Sequence, residues 1–100
     1  MTLTKVKNGK ELKILPVGRL DTDSAHILQY GIESSLDGIT ELVLDFSKLE
    51  YISSAGLRVL LSAHNIMDEC GGKMTIKSAG KGILEVFEIT GFMDILHIEI

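Results

Sequence analysis

Leu42, Val43 and Leu44 form an uninterrupted apolar run closed by Asp45, and no other stretch constrains the fold so tightly. A strand of that composition has no wet face, so it reads as an inner, parallel strand covered on both faces. The chain then crosses a polar turn and opens a helix at Ser53 and Ser54 that runs to about Asp68. Two serines thus stand at a helix N-terminus, just past the C-terminal end of a buried strand. Backbone N–H groups lack intrahelical partners there and the helix dipole is positive, so negative charge on a serine oxygen would be stabilised.

Each helical residue rotates by about 100°, which puts Ser54, Arg58, Ser62, Asn65 and Glu69 within one arc of roughly 80°. Leu60, Ala63 and Met67 lie opposite that polar stripe and face the core, while Leu57 and Leu61 fall on its rim. A serine before an apolar run is most often a helix cap. A cap needs only one serine, however, and it does not explain an exposed stripe that carries Arg58 beside half-exposed leucines. Ser53, Ser54, Leu57, Arg58, Leu61 and Ser62 are therefore candidate contacts for a partner.

The flanking elements follow from local chemistry. Asn8-Gly9 separates residues 2–7 from residues 10–16 and suits a two-residue type I′ turn, in which both central positions need positive φ. Leu12 and Ile14 alternate with Glu11 and Lys13, and Pro16, with no N–H to donate, marks a strand end, a bulge or an edge. Gly18-Arg19-Leu20-Asp21 forms the loop into a first helix, with capping candidates at Thr22, Asp23 and Ser24 and apolar positions at Ala25, Leu28, Ile32 and Leu36. Gly31 weakens this helix by roughly 1 kcal/mol relative to alanine, and Gly38 is placed to end it. Gly71-Gly72 stop the central helix, and residues 73–78 make another strand. Ile83, Val86, Phe87 and Thr90 mark a third helix closed by Gly91, and Leu96, Ile98 and Ile100 alternate in a last strand.

This order predicts an α/β fold: a mixed four- to five-stranded sheet entered by an N-terminal hairpin and continued by βα units with right-handed crossovers, with three main helices. Working loops in such sheets sit at the C-terminal ends of parallel strands, where Asp21, Asp45 and Ser54 all fall. Each Asp has two readings, a local cap or turn residue, or an acidic surround for Ser54.

One hundred residues, 45% of them hydrophobic, can bury one core, so residues 1–100 read as a single domain. A net charge of -4 with scattered Lys and Arg gives no basic patch and argues against nucleic acid. No stretch has the length of a membrane span and the N-terminus lacks an apolar signal region, so the expectation is a soluble, cytoplasmic protein. Cys70, the one cysteine, reads as a small buried hydrophobe.

Catalytic readings are weak. Ser54 has Ile52 where a nucleophile elbow needs glycine, and Asp94 and His97 merely follow in chain order. Ser78-Ala79-Gly80-Lys81-Gly82 lacks phosphate-loop spacing, and His26, His64 and His97 lack ligand spacing. No catalytic residue, metal site or cofactor is expected.

Leu49-Glu50-Tyr51-Ile52-Ser53-Ser54-Ala55-Gly56-Leu57 resembles the signature of STAS domains in bacterial anti-sigma factor antagonists, and Gly18-Arg19-Leu20-Asp21 is similar to a second motif of that family. The resemblance covers nearly the whole chain. It implies that Ser54 is the phosphorylated serine, with Asp21, Ser53, Leu57, Arg58, Leu61 and Ser62 in the partner-binding surface. The family usually has Asp before the serine, where this chain has Ser53, so Ser53 is the second-choice acceptor. The implied partners are an anti-sigma factor that is itself an ATP-dependent serine kinase, and a metal-dependent serine phosphatase. Two functions stay open. One is a phosphorylation-switched antagonist that releases a sigma factor when unphosphorylated. The other is a constitutive STAS subunit of a lipid-transport or stress-signalling assembly. The exposed serine beside Arg58 favours the first, and the missing Asp favours the second.

Overall fold

The computed structural model describes residues 1–100. Its elements in chain order are β1 (Thr2–Asn8), β2 (Glu11–Leu20), α1 (Ala25–Glu33), β3 (Glu41–Asp45), β4 (Leu49–Ile52), α2 (Ser54–Glu69), β5 (Lys73–Lys77), α3 (Lys81–Thr90), a 3-10 turn (Phe92–Asp94) and β6 (His97–Glu99). The sheet runs β1-β2-β3-β5-β6, with β1 antiparallel to β2 and the other neighbours parallel. The mixed sheet, the entering hairpin and the three helices match the sequence reading. The sixth strand, β4, does not, because the sequence reading has a polar turn there.

The added strand changes how β2 is built. Its first half pairs with β3 as far as Ile14–Leu44, and its second half pairs in parallel with β4 from Gly18–Leu49 to Leu20–Ile52. Pro16 falls between the two pairings, where a missing N–H costs nothing on that edge. A bulge at Gly18/Arg19, with Gly18 at φ 111°, redirects the strand. Gly18, Arg19 and Leu20 are therefore strand residues, and the loop into α1 starts only at Asp21. The hairpin turn also shifts by one residue. Asn8 pairs with Glu11, so Gly9 and Lys10 are the central pair and only Gly9 has positive φ, the type II′ pattern instead of type I′.

β2, β3, β5 and β6 add in one direction across the sheet, and right-handed crossovers then place all three helices on the same face. The core agrees with this topology. Leu28 and Ile32 of α1, Leu60, Ala63 and Met67 of α2, and Ile83 and Phe87 of α3 share one buried cluster with Leu12, Ile14, Leu42, Leu44 and Ile76. Val43 is buried but stands outside that cluster, in register between Lys13 and Thr75 on the opposite face. The central strand is thus not covered by helices on both sides; side chains of the flanking strands shield Val43 instead. A Cβ at Gly31 would meet Leu3 Cδ1, the free end of a flexible side chain, so an alanine there would require Leu3 to shift. The helix ends at Glu33, before Gly38. Cys70 is exposed at the C-cap of α2, its thiol 3.2 Å from the Met67 carbonyl, because that last turn projects past the packed region.

Candidate functional site

β4 brings the two sequence motifs together. The Ser53 N–H donates to the Leu20 carbonyl at 2.9 Å, extending the β2–β4 pairing to the first residue before α2. Ser53 keeps an extended backbone and serves as the N-cap of α2, its hydroxyl oxygen accepting from the Gly56 N–H at 3.4 Å. Ser54 is the first residue of the helix and is exposed. The two adjacent serines therefore divide the work: one holds the helix start, and the other presents its hydroxyl to solvent. Gly56 lets this start pack closely, because a Cβ on it would lie 2.7 Å from Leu20 Cγ and 2.9 Å from Ile52 Cγ1.

Along α2, Arg58, Asn65 and Glu69 are exposed and Ser62 and Leu61 are half-buried, so the polar stripe and one of its leucine rims stand where the helical period puts them. Leu57 does not. It is 7% exposed and belongs to the core, since β4 brings Leu49 and Ile52 into the same cluster and widens the apolar seat beneath the first turn. Leu57 thus leaves the candidate contact surface, and Leu61 is its remaining leucine.

Asp21 organises the neighbouring loop. Its carboxylate accepts from the Asp23 and Ser24 N–H groups at 3.1 Å, and the Arg19 guanidinium lies 3.8 Å from its other oxygen. The buried Ser24 accepts from the Asp21 N–H at 2.9 Å and sets its hydroxyl 2.6 Å from the Arg19 carbonyl and 3.1 Å from Asp21 Oδ1. Desolvation acts to raise the Asp21 pKa, but the Ser24 hydroxyl, the two amides and Arg19 outweigh it, and the carboxyl is held below its ordinary value. Asp45 is likewise lowered: desolvation is overcome by hydrogen bonding from Ser47 and by Lys13 at 3.6 Å. The two acids are not equivalent in place. Asp21 follows Leu20, which pairs beside Ser53, whereas Asp45 follows Leu44, level with the middle of β2. Its contacts there are a local turn and an ion pair with Lys13.

Some neighbours of the site are not evident from sequence. Arg19 stacks over the Tyr51 ring, 4.2 Å from its centroid, because the two residues pair across β2 and β4. Next to Arg58, a groove of about 480 Å³ opens between α1 and α2, with His26 and Gln29 on its far wall. Only the exposed, non-apolar positions of α1 at these residues hint at it. No three His, Cys, Asp or Glu side chains are grouped so as to hold a metal ion, and no helix is long and apolar enough to cross a membrane.

Comparison with known proteins agrees with this geometry. Residues 3–99 match the model of the STAS domain. A candidate anti-sigma factor antagonist of Bordetella bronchiseptica, BtrV, is 34% identical over 82 residues, covering 81% of this chain and 71% of BtrV. An anti-sigma factor antagonist from Mycobacterium paratuberculosis superposes with a TM-score of 0.86 at 20% identity, over 97% of this chain and 83% of that one. The anti-sigma factor antagonist SpoIIAA in its unphosphorylated form gives 0.77 at 14% identity, over 99% and 88%, and its phosphorylated Bacillus form gives 0.76 at 15%, over 99% and 92%. By the match over nearly its whole length, the chain belongs to the STAS domain family and is similar to that family's anti-sigma factor antagonists.

Proposed function

We propose that this protein is an anti-sigma factor antagonist controlled by phosphorylation of Ser54. Unmodified, it offers α2 and the adjoining Asp21 loop to an anti-sigma factor and thereby frees a sigma factor; phosphorylated, it does not bind. The observation that carries this reading is the separation of roles at the helix start, where Ser53 caps and Ser54 stays exposed. The Ser53 hydroxyl is half-buried and engaged with the Gly56 N–H, whereas Ser54 is exposed where a kinase can reach it. The kinase of the switch is the anti-sigma factor itself, using ATP, and a metal-dependent serine phosphatase restores the binding form. In this scheme the chain is a cytoplasmic substrate and binding module, not an enzyme, and it engages no nucleic acid.

The relatives support the scheme, since one structural neighbour is described in both unphosphorylated and phosphorylated forms. Ser53, standing where the family usually has Asp, favours the alternative of a constitutive subunit whose helix packs permanently on a partner. Intact-mass measurement of the protein isolated from its host, followed by mapping of any phosphate, separates the two. A single added phosphate on Ser54 is expected, and its absence under every growth condition would leave only the constitutive subunit.

A further inference from the structure

The groove between α1 and α2, which Ala55 and Arg58 help to line, holds no acidic side chain, although the chain carries 14 Asp and Glu against 10 Lys and Arg. Thr22, His26 and Gln29 form one wall, and Arg58 and Ser62 contribute to the other. The two ion pairs in the molecule are Lys13–Asp45 and Arg19–Asp21, so Arg58 is an exposed guanidinium with no carboxylate of its own. A charged fork left unpaired at the mouth of an acid-free groove is complementary to an incoming anion.

We propose that the groove receives an acidic side chain of the protein that binds α2, and that a phosphate on Ser54 competes for the same guanidinium. This rests on the switch described above and supplies its chemistry. Ser54 and Arg58 are four residues apart on one helix, and such side chains are neighbours on the helix surface. A phosphoserine carries about -1.5 to -2 charges at pH 7, more than a carboxylate, and is held close to Arg58 by the chain itself. The guanidinium pairs bidentately with oxyanions, and a phosphate tethered one turn away occupies its donors and neutralises the positive charge that would otherwise attract the partner's acid. Phosphorylation therefore both adds charge to the contact surface and withdraws the cation that the partner's acid needs. His26 and Gln29, with donors on the opposite wall, position that acid without being exposed to the competition.

The test is a four-way comparison by calorimetric titration against the anti-sigma factor kinase of the same host: wild type, Ser54→Asp, Arg58→Ala and the double variant. Arg58 is exposed, so circular dichroism should be unchanged throughout. Arg58→Ala is expected to weaken binding roughly tenfold and to flatten its dependence on salt, with Arg58→Lys intermediate. In the Arg58→Ala background, Ser54→Asp should cause a clearly smaller further loss than it does in wild type, because the contested group is already gone. Equal losses in both backgrounds, or Arg58→Ala binding within about twofold of wild type, would overturn the inference and leave the switch standing. No effect of Ser54→Asp in either background would remove the switch itself. If instead the Arg58 side-chain N–H resonance shifts to saturation with sub-millimolar inorganic phosphate alone, the groove is a small-anion site and the proposal fails.

Discussion

The Ser53 amide donates to the Leu20 carbonyl, 2.9 Å away, and so carries the β2–β4 pairing up to the start of α2, joining it to the Gly18–Asp21 segment. Ser53 is thereby fixed on both sides, by its N–H to β2 and by its hydroxyl to the Gly56 N–H. Ser53→Ala should cost about 1 kcal/mol of stability, read from urea unfolding, through loss of the cap. Ser53→Asp restores the usual family residue, retains a capping oxygen, and should unfold within about 0.5 kcal/mol of wild type. Equal stability of the Ala and Asp variants would show that the 3.4 Å cap contributes nothing.

Gly56→Ala poses helix propensity against space. Alanine favours a helix interior by roughly 1 kcal/mol over glycine, whereas overpacking a filled site costs about 1–3 kcal/mol. The new Cβ would meet Leu20 Cγ and Ile52 Cγ1 at 2.7 and 2.9 Å, from both strands under the helix, so packing decides the sign. The variant should melt below wild type; a rise in melting temperature would mean that β2 and β4 yield freely.

What the sequence reveals and conceals around α2 follows from the range of each interaction. The helix, its polar stripe and its buried Leu60, Ala63 and Met67 are legible because a 3.6-residue period and terminal glycines act locally. β4 is not legible. Leu49–Ile52 is four residues with two exposed, too short for alternation to declare itself, and it exists because the outer half of β2 offers it an edge. Missing that strand is also what misplaces Leu57, whose helical angle alone puts it on the rim while its actual burial depends on Leu49 and Ile52. The wall of the groove from α1 is hidden for the same reason, since nothing in residues 22–29 encodes which helix lies across from them.

Acid should destabilise the protein through Asp21 and Asp45. Both carboxyls have folded-state pKa values below their unfolded ones, so each contributes stability that is present above the unfolded value of about 3.9 and is lost as pH falls through the folded value. Melting temperature should be nearly flat from pH 7 to about 5 and fall below about 4. Replacing both with Ala should lower the plateau at neutral pH and reduce the slope on the acid side. An unchanged acid slope would place the acid sensitivity elsewhere.

Leu61 tests the apolar part of the contact surface. It is half-buried, unlike the fully buried Leu60 beside it, so truncation should disturb binding more than folding. Leu61→Ala is expected to shift unfolding by about 1 kcal/mol or less and to weaken the anti-sigma factor interaction by roughly tenfold or more. Unaltered affinity would take Leu61 out of the interface.

The central claim is that charge on Ser54 decides binding while leaving the fold alone. Phosphate at that position would be received by the first-turn N–H groups and Arg58, so the helix persists, but burying it against a partner costs several kcal/mol, with each 1.4 kcal/mol worth tenfold in affinity. Because Ser53 is the cap, neither Ser54→Ala nor Ser54→Asp should change stability by more than about 0.5 kcal/mol. The direct measurement is calorimetric titration of both variants against the anti-sigma factor. The account predicts wild-type affinity for Ser54→Ala and a loss of roughly a hundredfold for Ser54→Asp, and equal affinities for the two would contradict it.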